Sequence, residues 1–135
     1  MQRDFTALAA YLAERQTMAF AWGSRANDCV SFYAGAARAM AGFDPIAGLH
    51  WTTERGAARV IGRMGGMEAA VSSRMTSVAP AMAMRGDAAG VHDDRFGLLI
   101  MLVEGDWLVG PGNGRRLMRA PRSAMLRAWT FGGAA

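Results

Sequence analysis

The sequence predicts an α+β domain, with helices first and an antiparallel sheet built from the rest of the chain. Three observations predict it. Before Pro80 the apolar residues recur at helical spacing. After Pro80, Gly86-Asp87, Val91-His92-Asp93-Asp94, Gly105-Asp106 and Gly110-Pro111-Gly112-Asn113-Gly114 punctuate short apolar runs in the rhythm of a meander. One of those runs, Phe96 to Val103 (FGLLIMLV), is apolar on both faces, as a central strand covered on both sides must be.

Each element has its own signal. Phe5, Leu8, Ala9 and Leu12 fall at i, i+3, i+4 and i+7 and predict a short amphipathic helix. Thr17 to Arg25 breaks that period and reads as a loop. Asn27 or Asp28 then offers an N-cap oxygen for a second helix, Asp28 to Ala41, which Gly42 stops before the Asp44-Pro45 turn. A third helix is expected from Thr52 or Thr53 to about Met64, and a fourth from Met67 to Met75. In the sheet, Trp107–Val109 and Arg116–Arg119 are expected beside FGLLIMLV. Pro121–Arg127 should form a turn of helix before a last extended stretch, Trp129 to Phe131. No internal repeat or boundary divides the 135 residues, so a single domain, 1–135, is expected.

Composition narrows the function classes. Hydrophobic residues make up 52% and charged residues 19%, which fits a folded globular chain. The net charge is +4, but all 15 basic residues are arginine; with the many Ala and Gly, that reflects a GC-rich coding bias as much as selected chemistry. A single cysteine excludes an intramolecular disulfide. Asp4 and Glu14 interrupt the N-terminal apolar residues, so no signal-peptide core is read there, and FGLLIMLV is far short of the ~20 residues of a membrane helix. The expectation is a protein made in the cytoplasm, with no membrane partner and no cofactor.

The candidate site centres on that cysteine, Cys29. It shares a helical face with Phe32, Tyr33, Ala36, Ala37 and Met40, where a free cysteine ordinarily packs as a small hydrophobe. The same position, in the first turn of a helix, is also where unsatisfied N–H groups lower a thiol's pKa and make a nucleophile. Both readings require the face to meet the sheet, so the pattern leaves both open.

Trp22-Gly23 followed by Asp28-Cys29 and an aromatic-containing helix resembles the W-G-x(n)-D-C-x-x-F element of NlpC-type cell-wall peptidases, papain-like cysteine hydrolases of bacteria and phages. Arg85-Gly86-Asp87 is similar to that family's strand-opening "GD", and Gly97 to the glycine of its H-V-G-I strand. The stretch Ala39-Met40-Ala41-Gly42-Phe43-Asp44-Pro45 and the late Trp129 resemble small members encoded among tail genes of phages and gene-transfer-agent-like elements. The resemblance covers Trp22 to Trp129 and is most specific from Asp28 to Pro45. It implies a papain-like fold, with Cys29 as nucleophile and Trp22 and Asp28 as binding residues beside it.

The departure from the family lies at the base. The histidine of H-V-G-I corresponds to Arg95, whose guanidinium has no lone pair with which to take a thiol proton. His92, three residues earlier and expected in a hairpin turn, is the alternative base. Asn113 is the one polar candidate for the family's third, orienting residue, though it reads more as a turn residue. His50, in a loop, is expected to pack locally.

Other readings are weaker. His92-Asp93-Asp94 is a solvated hairpin tip rather than a metal site. Gly110 to Arg116 lacks the order of a phosphate-binding loop and reads as a hairpin turn. Arg55, Arg59 and Arg63 form an i, i+4, i+8 stripe, and with Arg115 and Arg116 they make a basic surface; without interleaved aromatics, nucleic acid is disfavoured. The 11 methionines suit adaptable surfaces that dock other proteins. The resemblance thus implies a structural or assembly protein of a phage tail tip or baseplate, its partners being other tail or tail-like particle proteins and its site in the virion tail. The alternative is a peptidoglycan endopeptidase using Cys29 and His92.

Overall fold

The computed structural model describes residues 2–112, 114 and 116–131. Four helices precede the sheet: α1 (Phe5–Arg15), α2 (Cys29–Ala41), α3 (Glu54–Arg63) and α4 (Met67–Ser72). Their ends follow local chemistry. The Asp4 side chain caps α1 by accepting from Ala7 N, and the Thr53 hydroxyl caps α3 by accepting from Gly56 N. Asp28 and Ser31 form a reciprocal capping box on α2, which ends at Gly42 with φ 69°.

Six strands follow: β1 (Thr76–Val78), β2 (Ala88–Asp93), β3 (Gly97–Val103), β4 (Trp107–Pro111), β5 (Leu117–Pro121) and β6 (Arg127–Thr130). They form one antiparallel sheet in the order β1-β6-β2-β3-β4-β5. The protein is therefore α+β, with N-terminal helices packed on a C-terminal antiparallel sheet. Among the described residues, no helix is long and apolar enough to cross a membrane.

FGLLIMLV is a central strand, and both of its faces are used. Leu98, Ile100 and Leu102 join the core beneath the helices with Leu8, Phe32 and Trp129. Leu99, Met101 and Val103 join a second core with Val91, Leu108 and Met125. Short 3-10 turns at Pro80–Met82 and Arg122–Ala124 cap that second face. The Arg122 guanidinium ties them together, donating to the carbonyls of Pro80, Ala83 and Gly105.

α2 is the central helix. It packs on α1, β3 and β4, and every residue from Cys29 to Ala37 except Val30 is buried. Gly35 makes the α1–α2 approach possible: a Cβ there would lie 2.3 Å from the Tyr11 hydroxyl, which donates to the Phe32 carbonyl. The Gly86-Asp87 pair is a fastening point. Tyr33 donates its hydroxyl to the Gly86 carbonyl, while the buried Asp87 carboxylate accepts from Arg3 at 2.6 Å and from Met84 N at 2.7 Å.

The sequence reading is corrected in four places. Most of the Arg116–Arg119 stretch, from Leu117 on, belongs to β5, which pairs with β4; the other neighbour of FGLLIMLV is β2. The Trp129 stretch, β6, returns between β1 and β2, and β1 itself had no counterpart in the sequence reading. α4 stops at Ser72, three residues short of the buried Met75. Finally, Leu8 and Leu12 are buried in α1, but Phe5 is 39% exposed and lies under the Arg85 guanidinium.

Candidate functional site

The site begins at the corner where the loop after α1 turns into α2. Arg15 at the end of α1 donates to the Ala26 carbonyl and to Asn27 Oδ1, and Asn27 Nδ2 donates to the Ala19 carbonyl. Those bonds hold the loop so that Asp28 enters the interior, where it is 1% exposed. Its carboxylate is fully engaged: Oδ1 accepts from Ser31 N at 2.9 Å, and Oδ2 from Gly23 N at 3.0 Å and Trp51 Nε1 at 2.8 Å. A buried carboxylate persists only when its lone pairs are met in this way. Asp28 therefore binds its own chain, stitching the α2 start to the Gly23 turn and to the loop before α3.

One residue on, the chemistry reverses. Cys29 is 6% exposed and lines a cavity of about 70 Å³ between α2, β3 and the α3–α4 pair, whose other walls include Trp22, Trp51, Ile61, Met64 and Phe96. Burial pushes the thiol up to about 12. Hydrogen bonds from the backbone at Ile100 and Val30 act the other way, and the negative charges of Asp28 and Asp93 add to the rise. Desolvation of the charged form thus outweighs the donors around the thiol.

Trp22 is half-buried above this cavity, its ring centroid 5.2 Å from Phe20 and 5.9 Å from Phe96. Phe96 follows Arg95 in the chain and lies on the same side of the β3 hairpin as Ile100. Arg95 itself projects from the β2–β3 turn into solvent and forms an ion pair with Glu54 at the start of α3. The turn is shaped by Asp93, whose Oδ2 accepts from the backbone N–H groups of Arg95 and Phe96.

His92 lies at the end of β2 opposite Leu98, in a strand rather than the expected turn. It is exposed, with Nε2 2.8 Å from Asp94 Oδ1, and it is not among the residues lining the Cys29 cavity. His50 is exposed, with Nδ1 3.4 Å from Ser24 Oγ. The structure thus brings Trp22, Asp28 and Cys29 together and leaves both histidines on the surface. Asn113 and Arg115 lie outside the described residues.

Arg55, Arg59 and Arg63 are exposed along α3, and Arg116 is exposed before β5. Among the described residues, no group of three or more His, Cys, Asp or Glu side chains is placed to hold a metal ion. Two functional positions were missed in the sequence. Trp51, which completes the Asp28 carboxylate, had no signal beyond being an aromatic near His50. Phe96 was passed over for its polar neighbour, although the period of two from Ile100 through Leu98 leads to it.

Fold and site together define an α+β domain whose central helix, α2, begins with a buried cysteine beneath an aromatic roof. Over residues 2–131 the chain matches a domain of unknown function, DUF6950, and it belongs to that family. No curated protein matches it.

Proposed function

We propose that this protein is a non-catalytic relative of NlpC-type peptidases and that it acts as a structural or assembly component of a phage tail or tail-like particle. The observation that carries the first half is the Cys29 environment. The thiol is enclosed by apolar side chains, its pKa is raised instead of lowered, and Phe96, in the turn that leads into β3, lines the cavity beside it. A cysteine hydrolase needs a thiolate and a proton acceptor within hydrogen-bond reach. Arg95, at the family's histidine position, is held on Glu54.

The papain-like identity and the tail assignment rest on the sequence resemblance around Asp28 to Pro45. The fold is consistent with it: a cysteine-bearing helix packed across a central antiparallel strand. The basic α3 stripe and the exposed Met82 and Met84 give such a protein surfaces to offer its neighbours.

The experiment has two parts. Purified peptidoglycan incubated with the protein should release no stem peptides above the level of Cys29→Ala. Release abolished by both Cys29→Ala and His92→Ala would establish the endopeptidase instead. Mass spectrometry of purified particles from the native source should detect this chain at constant stoichiometry to the tail proteins, and its absence there would remove the assembly role.

A further inference from the structure

The Cys29 cavity adjoins a second space across its aromatic roof. Ile61 and Phe96 line both the cavity and an open groove on the surface, whose remaining walls include Glu54, Arg55, Ala58 and Arg95. The interior is almost wholly apolar. The charged residues on its wall are engaged elsewhere, Asp28 by its three N–H donors and Arg74 by donating to the Ala47 carbonyl. The groove, by contrast, holds charge. Arg95 is neutralised by Glu54, whereas Arg55 has no ion-pair partner among the described residues.

Size and charge together specify an occupant. At about 70 Å³ the cavity is roughly half of the ~150 Å³ known to take up benzene, so it admits only the tip of an aliphatic chain. The remainder of such a chain would pass Phe96 and lie along Ile61 and Ala58, bringing its end to Arg55. We propose that this cavity and groove form a binding site for an aliphatic carboxylate, with the chain tip against Cys29 and the carboxylate at Arg55. The site is independent of any particle role and needs no chemistry at the thiol.

Trp22 and Trp51 line the cavity and report on it directly. Titration of the protein with straight-chain carboxylates from butanoate to decanoate should give a saturable change in tryptophan fluorescence. Affinity should rise about fourfold per added methylene while the chain is being buried. Arg55→Gln, on an exposed position, should weaken octanoate binding by about two- to fivefold, the range of an exposed ion pair, and leave 1-octanol binding unchanged. Ala70→Leu, which adds three carbons at the cavity wall, should weaken both ligands while circular dichroism stays native. A fluorescence response that never saturates, or one that does not depend on chain length, would overturn the site. Equal octanoate affinity in Arg55→Gln would overturn the placement of the carboxylate.

Discussion

Asp28 and Cys29 are neighbours in the chain and opposites in environment. The carboxylate meets a backbone N–H from the turn before it, another from the helix after it, and an indole N–H from a distant loop. The thiol, walled mainly by apolar side chains, meets only backbone hydrogen bonds from Ile100 and Val30 and is pushed up to about 12. Both are buried. The difference shows that burial alone does not decide a group's surroundings: three N–H donors converge on the Asp28 carboxylate, whereas desolvation outweighs the donors around Cys29 and keeps that proton in place.

The contrast can be broken most severely at Asp28. Replacing it with alanine leaves three N–H donors without an acceptor and removes the α2 cap, so urea unfolding should show a loss of about 3–5 kcal/mol. A loss under about 1 kcal/mol would mean that water or another side chain serves those donors. Gly35→Ala probes the same helix on its other side. The new methyl must displace the Tyr11 ring and its bond to the Phe32 carbonyl, which should cost about 2 kcal/mol by overpacking.

A pH titration of stability addresses the thiol itself. A group whose folded pKa lies above its unfolded one contributes stability below the unfolded value and loses it as pH rises toward the folded value. For Cys29 the window opens at 9.0 and closes near 12. Between pH 9 and 10 the unfolding free energy should fall by about 1 kcal/mol from this group, and Cys29→Ala should flatten that segment. Above pH 10 the half-buried Tyr11, also raised to about 12, and the buried Tyr33, raised further, steepen the loss. Arg95→His has the smallest expected effect. It introduces the histidine of the NlpC-type motif that this segment resembles, at a position that faces Glu54 and solvent, so stability should change by less than about 0.5 kcal/mol and no peptidoglycan hydrolysis should appear.

What the sequence revealed and what it hid follow the range of the interactions. α2 was legible to within a residue because Asp28, Ser31 and Gly42 act on their own turn of chain. The central place of FGLLIMLV was legible because a strand buried on both faces must be apolar on both. The return of β6 between β1 and β2 was not, since pairing across some forty or fifty residues leaves no local mark. The same limit hid the Trp51 indole, 23 residues from the carboxylate it serves. The cavity wall next to Arg95 was hidden for a different reason: a motif alignment draws attention to Arg95, whereas the hairpin's turn and the alternation of β3 put its neighbour Phe96 at the cavity.

The measurement closest to the central claim is the rate at which a thiol reagent labels Cys29 in the native protein as a function of pH. With the thiol buried and its pKa raised, labelling at pH 7 to 9 should be no faster than unfolding, should accelerate only with denaturant, and should show no inflection below pH 9. Rapid native-state labelling with a midpoint below the unperturbed ~8.5 would mean an activated nucleophile and would contradict the account.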